Sequence, residues 1–368
     1  MEICQLLKIQ YGLVVLTKVD MVESDWLELV KEDLTEFLSD TFLENAPMLE
    51  VSAVTGEGMD SLMQVLDNLV KDISERETGN FFRLPVDRVF TMKGFGTVIT
   101  GTTISGSIKI GDEATIYPED IPSKVRGIQV HNQEVNEVRA GLRTAINLQG
   151  IEKAQIKRGD IIATRDALRS TFMLDVLLDL LPSAPKKLKN RAKARFHGGT
   201  AEIIATVVLL DKEELDPGQS CFAQIRLDSP TAVLPHDRFV LRSYSPVRAI
   251  GGGEILNAYP QKKKRFSEKA IAELRIMKDG SLSDITEQCI SMGQFRGVGQ
   301  DDLPFLTNAG KKKLDEVLKV LMAQKKVIQF DKENNGFIHS DHLNEIRNEV
   351  LSALTKYHQD FPLKVWLS

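Results

Sequence analysis

Four cations recur at every second position of one short run: Lys189, Arg191, Lys193 and Arg195, separated by Asn190, Ala192 and Ala194. Successive side chains of a strand point to opposite faces, so this spacing predicts four like charges on one side of a single strand. Side by side they repel, which leaves two readings open: a solvated face, or a stripe that tracks phosphates and acquires its counter-anion from them. A second basic run, Lys262-Lys263-Lys264-Arg265, suits salt-sensitive, sequence-independent contact with RNA. The chain as a whole is not basic. Its 47 Lys and Arg against 52 Asp and Glu give a net charge of -5, so any RNA contact must come from local patches. Three widely spaced cysteines, Cys4, Cys221 and Cys289, form no ligand cluster and read as small buried residues in a reducing compartment.

The elements that must carry these residues change character along the chain. Residues 12–16, Gly-Leu-Val-Val-Leu, predict a strand buried on both faces. Ser24 is expected to cap a helix with Trp26, Leu27, Val30, Leu34, Phe37 and Leu38 on one stripe. A second buried strand over Met48–Val51 leads to a helix bearing Met59, Leu62, Met63, Leu66, Leu69, Val70 and Ile73. Strand, helix, strand, helix is part of a doubly wound α/β domain. From about Arg76–Asn80 the pattern turns to short alternating strands with glycine turns, in two all-β stretches ending near Arg169 and Ala258. Leu84, Val86, Val98 and Thr100 alternate around a bend at Gly94 and Gly96 and predict a hairpin of a small barrel. Helices then return, one capped by Ser267 and one opened by Thr307. A tight-turn hairpin follows, with Val327–Phe330 and Phe337–His339 flanking Asn335-Gly336, and a last helix starts near Asp341. Helices ending in a two-stranded wing suggest a winged-helix module.

Four motifs occur in one order: Thr17-Lys18-Val19-Asp20, Ser52-Ala53-Val54-Thr55-Gly56-Glu57-Gly58, Asp87-Arg88-Val-Phe-Thr-Met-Lys-Gly, and Arg195-Phe-His-Gly-Gly-Thr-Ala-Glu202. Together they resemble the translational GTPases, and the last, with helices behind it, is similar to the selenocysteine-specific elongation factor family. The resemblance implies a guanine pocket made by Thr17, Lys18, Asp20, Ser52, Ala53 and Val54. In it the carboxylate of Asp20 meets the donor pair of guanine, which adenine lacks, and the Ala53 amide faces the base oxygen. It implies GTP or GDP with Mg²⁺ as the ligands of the full-length family member. It further implies an aminoacyl pocket at Asp87, Arg88, His131 and Arg143. Selenol is more acidic than thiol or hydroxyl, so selenocysteine is anionic near neutrality and a pocket that prefers it needs fixed cations. Contact with the tRNA body falls to Lys189, Arg191, Lys193 and Arg195.

No G-x-x-x-x-G-K-[ST] run occurs in the chain and no D-x-x-G precedes Thr17. The expectation is a family member incomplete at both ends, which does not hydrolyse GTP or bind it tightly by itself and has no catalytic residue or metal site of its own. The expected organisation is a partial GTPase domain at 1–78, β-barrels at 79–169 and 170–259, a winged helix at 260–339, and the start of a second at 340–368. The implied function is delivery of selenocysteinyl-tRNA to the ribosome at recoded UGA codons, with the mRNA selenocysteine-insertion hairpin read by modules beyond Ser368. The alternatives are another GTPase of the elongation factor Tu or initiation-factor γ class, or a non-catalytic RNA-binding fragment. No apolar run reaches the ~20 residues that span a bilayer, so a cytoplasmic monomer without membrane contact is expected.

Overall fold

The computed structural model describes residues 1–72, 81–92 and 96–360. Met1–Glu77 and Thr78–Ser368 form two compact units. In the first, a short helix α1 (Glu2–Leu6) precedes β1 (Val14–Thr17), α2 (Ser24–Leu38), β2 (Met48–Val51) and α3 (Met59–Asp72). The strands β1 and β2 pair in parallel with Thr17 opposite Val51, so both open their carboxyl-end loops at the same edge. Val14, Val15 and Leu16 are half-buried rather than enclosed, because the sheet they belong to has two strands. Glu23, not Ser24, occupies the cap position of α2, and Trp26 and Phe37 of the expected stripe stay exposed. On α3 the half-buried residues are Leu62, Val65 and Leu69, with Met63 and Val70 exposed. Ile73 lies outside the described residues.

The second unit begins with nine strands: β3 (Arg83–Met92), β4 (Gly96–Thr102), β5 (Ser107–Lys109), β6 (Glu113–Tyr117), β7 (Ile121–Val130), β8 (Gln133–Val135), β9 (Glu137–Arg139), β10 (Arg143–Leu148) and β11 (Ile161–Thr164). Six of them run in the order β10-β4-β3-β11-β6-β7, and pairing of β7 with β10 closes the ring. Leu84, Val86, Ile99, Ile116, Ile128, Ile146 and Ile162 fill it. On β4 the inward residue is Ile99, fully buried, rather than Thr100. The reason is a β-bulge at Asp87: Val86 faces Gly101 but Arg88 faces Thr100, so the phase of β3 shifts by one residue. Gly94 of the expected bend lies outside the described residues.

Eight strands follow: β12 (Thr171–Leu180), β13 (Leu188–Lys189), β14 (Ala192–Gly198), β15 (Ala201–Leu209), β16 (Glu214–Leu215), β17 (Ser220–Thr231), β18 (Arg238–Ser243) and β19 (Ala249–Asn257). Six close a second barrel in the order β12-β17-β15-β14-β18-β19, and β13 pairs with β16 as a separate ribbon. Its core stacks Phe196 on Phe239 at 5.5 Å among Leu174, Val176, Val207, Ile225 and Ile255. The barrels are joined. Arg83, buried, grips both carboxylate oxygens of Asp237 at 2.7 and 3.0 Å, beside an apolar seam that includes Tyr117, Ile161, Leu168, Ala232 and Leu234.

Beyond the second barrel come α4 (Glu268–Asp279), α5 (Leu282–Met292), β20 (Val298–Gly299), α6 (Leu303–Thr307), α7 (Lys311–Ala323), β21 (Val327–Asp331), β22 (Gly336–His339) and α8 (Ser340–Asp360). Ser267 caps α4 as expected, accepting from the Ala270 amide. Thr307 ends α6 instead of opening a helix, and Gly310 caps α7. The hairpin of β21 and β22 is present, but residues 332–335 turn it, with Asp331 accepting the Glu333 and Asn334 amides. Leu274, Ile290, Leu314, Leu318 and Phe337 share one core with Val208, Phe222 and Leu256 on the outside of the second barrel.

Candidate functional site

At the carboxyl edge of β1 and β2 two loops meet through one contact. Ser52, fully buried, donates from Oγ to Asp20 Oδ1 at 2.5 Å and accepts the amides of Val54 and Thr55 at 3.2 Å. Lys18 takes a left-handed turn at φ 62, which drops Asp20 into the short helix Val19–Met21 and brings its carboxylate across to Ser52. Gly58 closes the second loop at φ +72, where a Cβ would lie 1.8 Å from the Glu50 carbonyl oxygen. Thr17, Lys18, Asp20, Ala53 and Val54 are exposed, and the Ala53 amide has no protein acceptor among the described residues. The loop pair therefore presents a fixed carboxylate and an open amide on one edge, which suits a planar base carrying adjacent donors and an acceptor.

The first barrel gathers a second set. The bulge turns Asp87 to the rim, where its Oδ2 accepts Arg143 Nη2 at 2.9 Å and Arg158 Nε lies 3.9 Å from Oδ1. The Arg143 hydrogen bond holds the Asp87 carboxyl below the ordinary carboxylate range, helped by the charges of Arg143, Arg158 and Arg88. Arg88, next in sequence and exposed, forms no side-chain hydrogen bond among the described residues. Two guanidiniums, those of Arg143 and Arg158, thus share one carboxylate. Arg143 also lines a hollow of about 200 Å³ with Thr100, Gln129, His131, Asn132, Thr144 and Ala145. His131 and Asn132, at φ 51 and 64, are the two central residues of the β7–β8 hairpin turn, which tips the imidazole to the hollow. The structure brings together Asp87, Arg143 and, around the hollow, His131, while Arg88 is not among the lining residues. Arg158 went unnoticed in the sequence. Its signal is the turn Lys157-Arg158-Gly159-Asp160, which lands beside the bulge.

The basic stripe does not form as one strand. A break at Asn190–Arg191, with Arg191 at φ 62, leaves Lys189 in the β13–β16 ribbon opposite Glu214 and Lys193 and Arg195 on β14. Asn190 Oδ1 accepts the Leu209 amide there, which fixes the kink. Lys193 pairs with Asp228 at 2.9 Å, and Arg195 with Glu202 at 2.5 Å over the Tyr244 ring. These two cations find their counter-anions on the surface of the same barrel. The basic linker is likewise engaged. Lys263 is paired with Glu273 at 2.8 Å, and Arg265 binds the carbonyls of Leu209 and Lys212 at 2.9 Å, so Lys262 and Lys264 alone stay exposed.

Residues 96–163 match the family model for elongation factor Tu domain 2, and residues 175–262 that for the beta-barrel domain of the selenocysteine-specific elongation factor. Across 373 aligned positions the chain is 39% identical to the selenocysteine-specific elongation factor of Desulfomicrobium baculatum, covering 100% of this chain and 58% of that protein. The crystal structure of a bacterial selenocysteine-specific elongation factor superposes with a TM-score of 0.78 at 22% identity, over 98% of this chain and 56% of the other. The factor SelB of Methanococcus maripaludis, solved with the GTP analogue GppNHp, superposes with a TM-score of 0.59 at 25% identity, over 69% and 59%. The chain spans about half the length of the curated relatives it matches.

Proposed function

We propose, from the premise that this chain belongs to the selenocysteine-specific elongation factor family, that it is the part of such a factor that reads the guanine base and the charged amino acid. The observation that carries the reading is the rim of the first barrel, where Arg143 and Arg158 face Asp87, with Arg88 next to it in sequence, beside the hollow that His131 lines. Asp87 orients Arg143 by one hydrogen bond and leaves the remaining N–H groups of its planar fork for an anion. A selenolate there meets fixed positive charge. A seryl hydroxyl offers those guanidiniums no anion, so it gains less from the rim than a selenolate does.

In the first unit Ser52 aims Asp20, whose free oxygen can accept from guanine, and the Ala53 amide is placed to donate to the base oxygen. An adenine would leave the carboxylate without donors. GTP, when bound, supplies the signal of state, and its phosphates and Mg²⁺ are assigned to no residue of this chain. The tRNA body is assigned to Lys189 and Arg191, which have no ion pair among the described residues, with Lys193 and Arg195 able to join by exchanging partners. Residues 260–339 are read as a winged-helix spacer and 340–368 as the start of a further module, in a soluble cytoplasmic monomer that meets the ribosome and mRNA hairpin as part of the whole factor. The test is the affinity of the full-length protein for selenocysteinyl- and seryl-tRNA. Arg143→Ala is expected to remove most of the preference while tRNA-body binding persists. An unchanged preference in both Arg88→Ala and Arg143→Ala would return these arginines to ordinary surface pairs.

A further inference from the structure

We propose that Thr200, on the second barrel, is a positioning residue for the cationic rim of the first. It acts by holding the peptide from which the Asp87 bulge starts. The inference rests on the reading of that rim as the amino-acid site.

The chain reaches the rim from the second barrel by a tight turn. Gly198 pairs with Ala201, leaving Gly199 and Thr200 as a two-residue loop, with Gly199 at φ +57 in the first central position. That is the pattern of a type II′ turn, which needs glycine there. The loop touches the other barrel at once: a Cβ on Gly199 would lie 3.3 Å from the Pro85 side chain. Thr200 Oγ1 then donates to the Val86 carbonyl at 2.7 Å. The same oxygen accepts the Gly159 amide at 3.1 Å, and the Val86 amide donates to the Asp160 carbonyl at 2.8 Å.

Three segments therefore converge on Val86: the 198–201 turn, the 157–160 loop that carries Arg158, and the bulge itself. Val86 is the last residue of β3 in the first register. Asp87 is the extra one, and Arg88 resumes pairing opposite Thr100. A bulge lacks the regular ladder bonds that would fix its direction, so an outside bond to the preceding carbonyl sets where Asp87 and Arg88 point. Among the described residues Thr200 makes no side-chain hydrogen bond to Arg88 or Arg143. The barrels are also held by Arg83 and Asp237, so loss of the hydroxyl leaves the fold and frees the bulge. This gives a use to Gly199-Thr200, the turn within the 195–202 motif.

The experiment compares Thr200→Val, Thr200→Ser, Arg88→Ala and Arg143→Ala in the full-length protein. It reads the affinity for selenocysteinyl- and seryl-tRNA, and amide exchange over residues 84–91. Thr200→Val is expected to lower the selenocysteinyl preference by about fivefold to tenfold, the worth of one hydrogen bond of about 1 kcal/mol. Seryl-tRNA affinity should hold, exchange over the bulge should speed up, and Thr200→Ser should restore both. An unchanged preference in Thr200→Val beside a lost one in Arg88→Ala or Arg143→Ala overturns the proposal and leaves the rim reading intact. Equal weakening of both tRNAs also overturns it, as a plain stability effect. An unchanged preference in both alanine variants overturns the rim reading and this inference with it.

Discussion

At the scale of single residues, the two loops proposed to meet guanine were locatable in the sequence because their signals are local. Asp20 and Ser52 each follow an apolar strand, and two adjacent parallel strands put them 2.5 Å apart. Ser52→Ala strips the buried acceptor of two amides and the donor that aims Asp20. A loss of about 1–3 kcal/mol in stability of the first unit is expected, measured by urea denaturation, together with weaker discrimination of guanine from adenine nucleotides in the full-length protein. Gly58→Ala should be worse, since it combines left-handed backbone with contact on the Glu50 carbonyl. The partner of Asp87 was not legible. It is Arg143, 56 positions away, brought opposite a β-bulge at Asp87. Nothing in the residue types announces a bulge.

At the scale of elements, polar spacing proved weaker evidence than apolar spacing. The stripe at 189–195 fails because Asn190 binds the Leu209 amide and Arg191 turns left-handed, so the strand that would align the cations is interrupted. The linker at 262–265 reads as free charge, yet Lys263 reaches a buried pocket of the second barrel. There Asp175, fully buried, accepts from Gln224 at 2.9 Å and lies 3.8 Å from Lys263 Nζ, with Glu273 and Arg226 close by. Burial pushes the Asp175 carboxyl from 3.8 up to about 7, against the pull of Lys263 and the Gln224 hydrogen bond. Between those values the folded protein keeps a proton that the unfolded chain has released, so this group's contribution falls as pH rises across that window and is flat above it. Asp175→Asn retains an acceptor for Gln224 and is expected to flatten that part of the profile, read as the melting temperature from about pH 4 to about pH 8. A wild-type slope retained in the Asn variant would assign the dependence to other groups.

At the scale of the whole molecule, alternation predicted two all-β stretches and the family resemblance two barrels, and both are closed, six-stranded rings. Their joint was not expected, because Arg83 and Asp237 lie 154 positions apart in chains of ordinary strand residues. Asp237→Ala leaves a buried guanidinium unpaired and should cost on the order of 3 kcal/mol in denaturant unfolding of the second unit, with the Arg83→Leu, Asp237→Leu pair costing less than the two singles together. The central claim concerns charge. In the function proposed, the barrel rim selects its amino acid because selenocysteine is an anion near neutrality, not because of its shape. Cysteine separates the two, since its thiol has nearly the same shape and an ordinary pKa of about 8.5. The decisive measurement is the affinity of the full-length protein for one tRNA body charged with selenocysteine, cysteine or serine. At about pH 7 the selenocysteinyl form should bind far more tightly while cysteine and serine stay together, and the cysteinyl form should gain as pH passes about 8.5. Equal affinity for selenocysteine and cysteine at neutral pH would contradict the account.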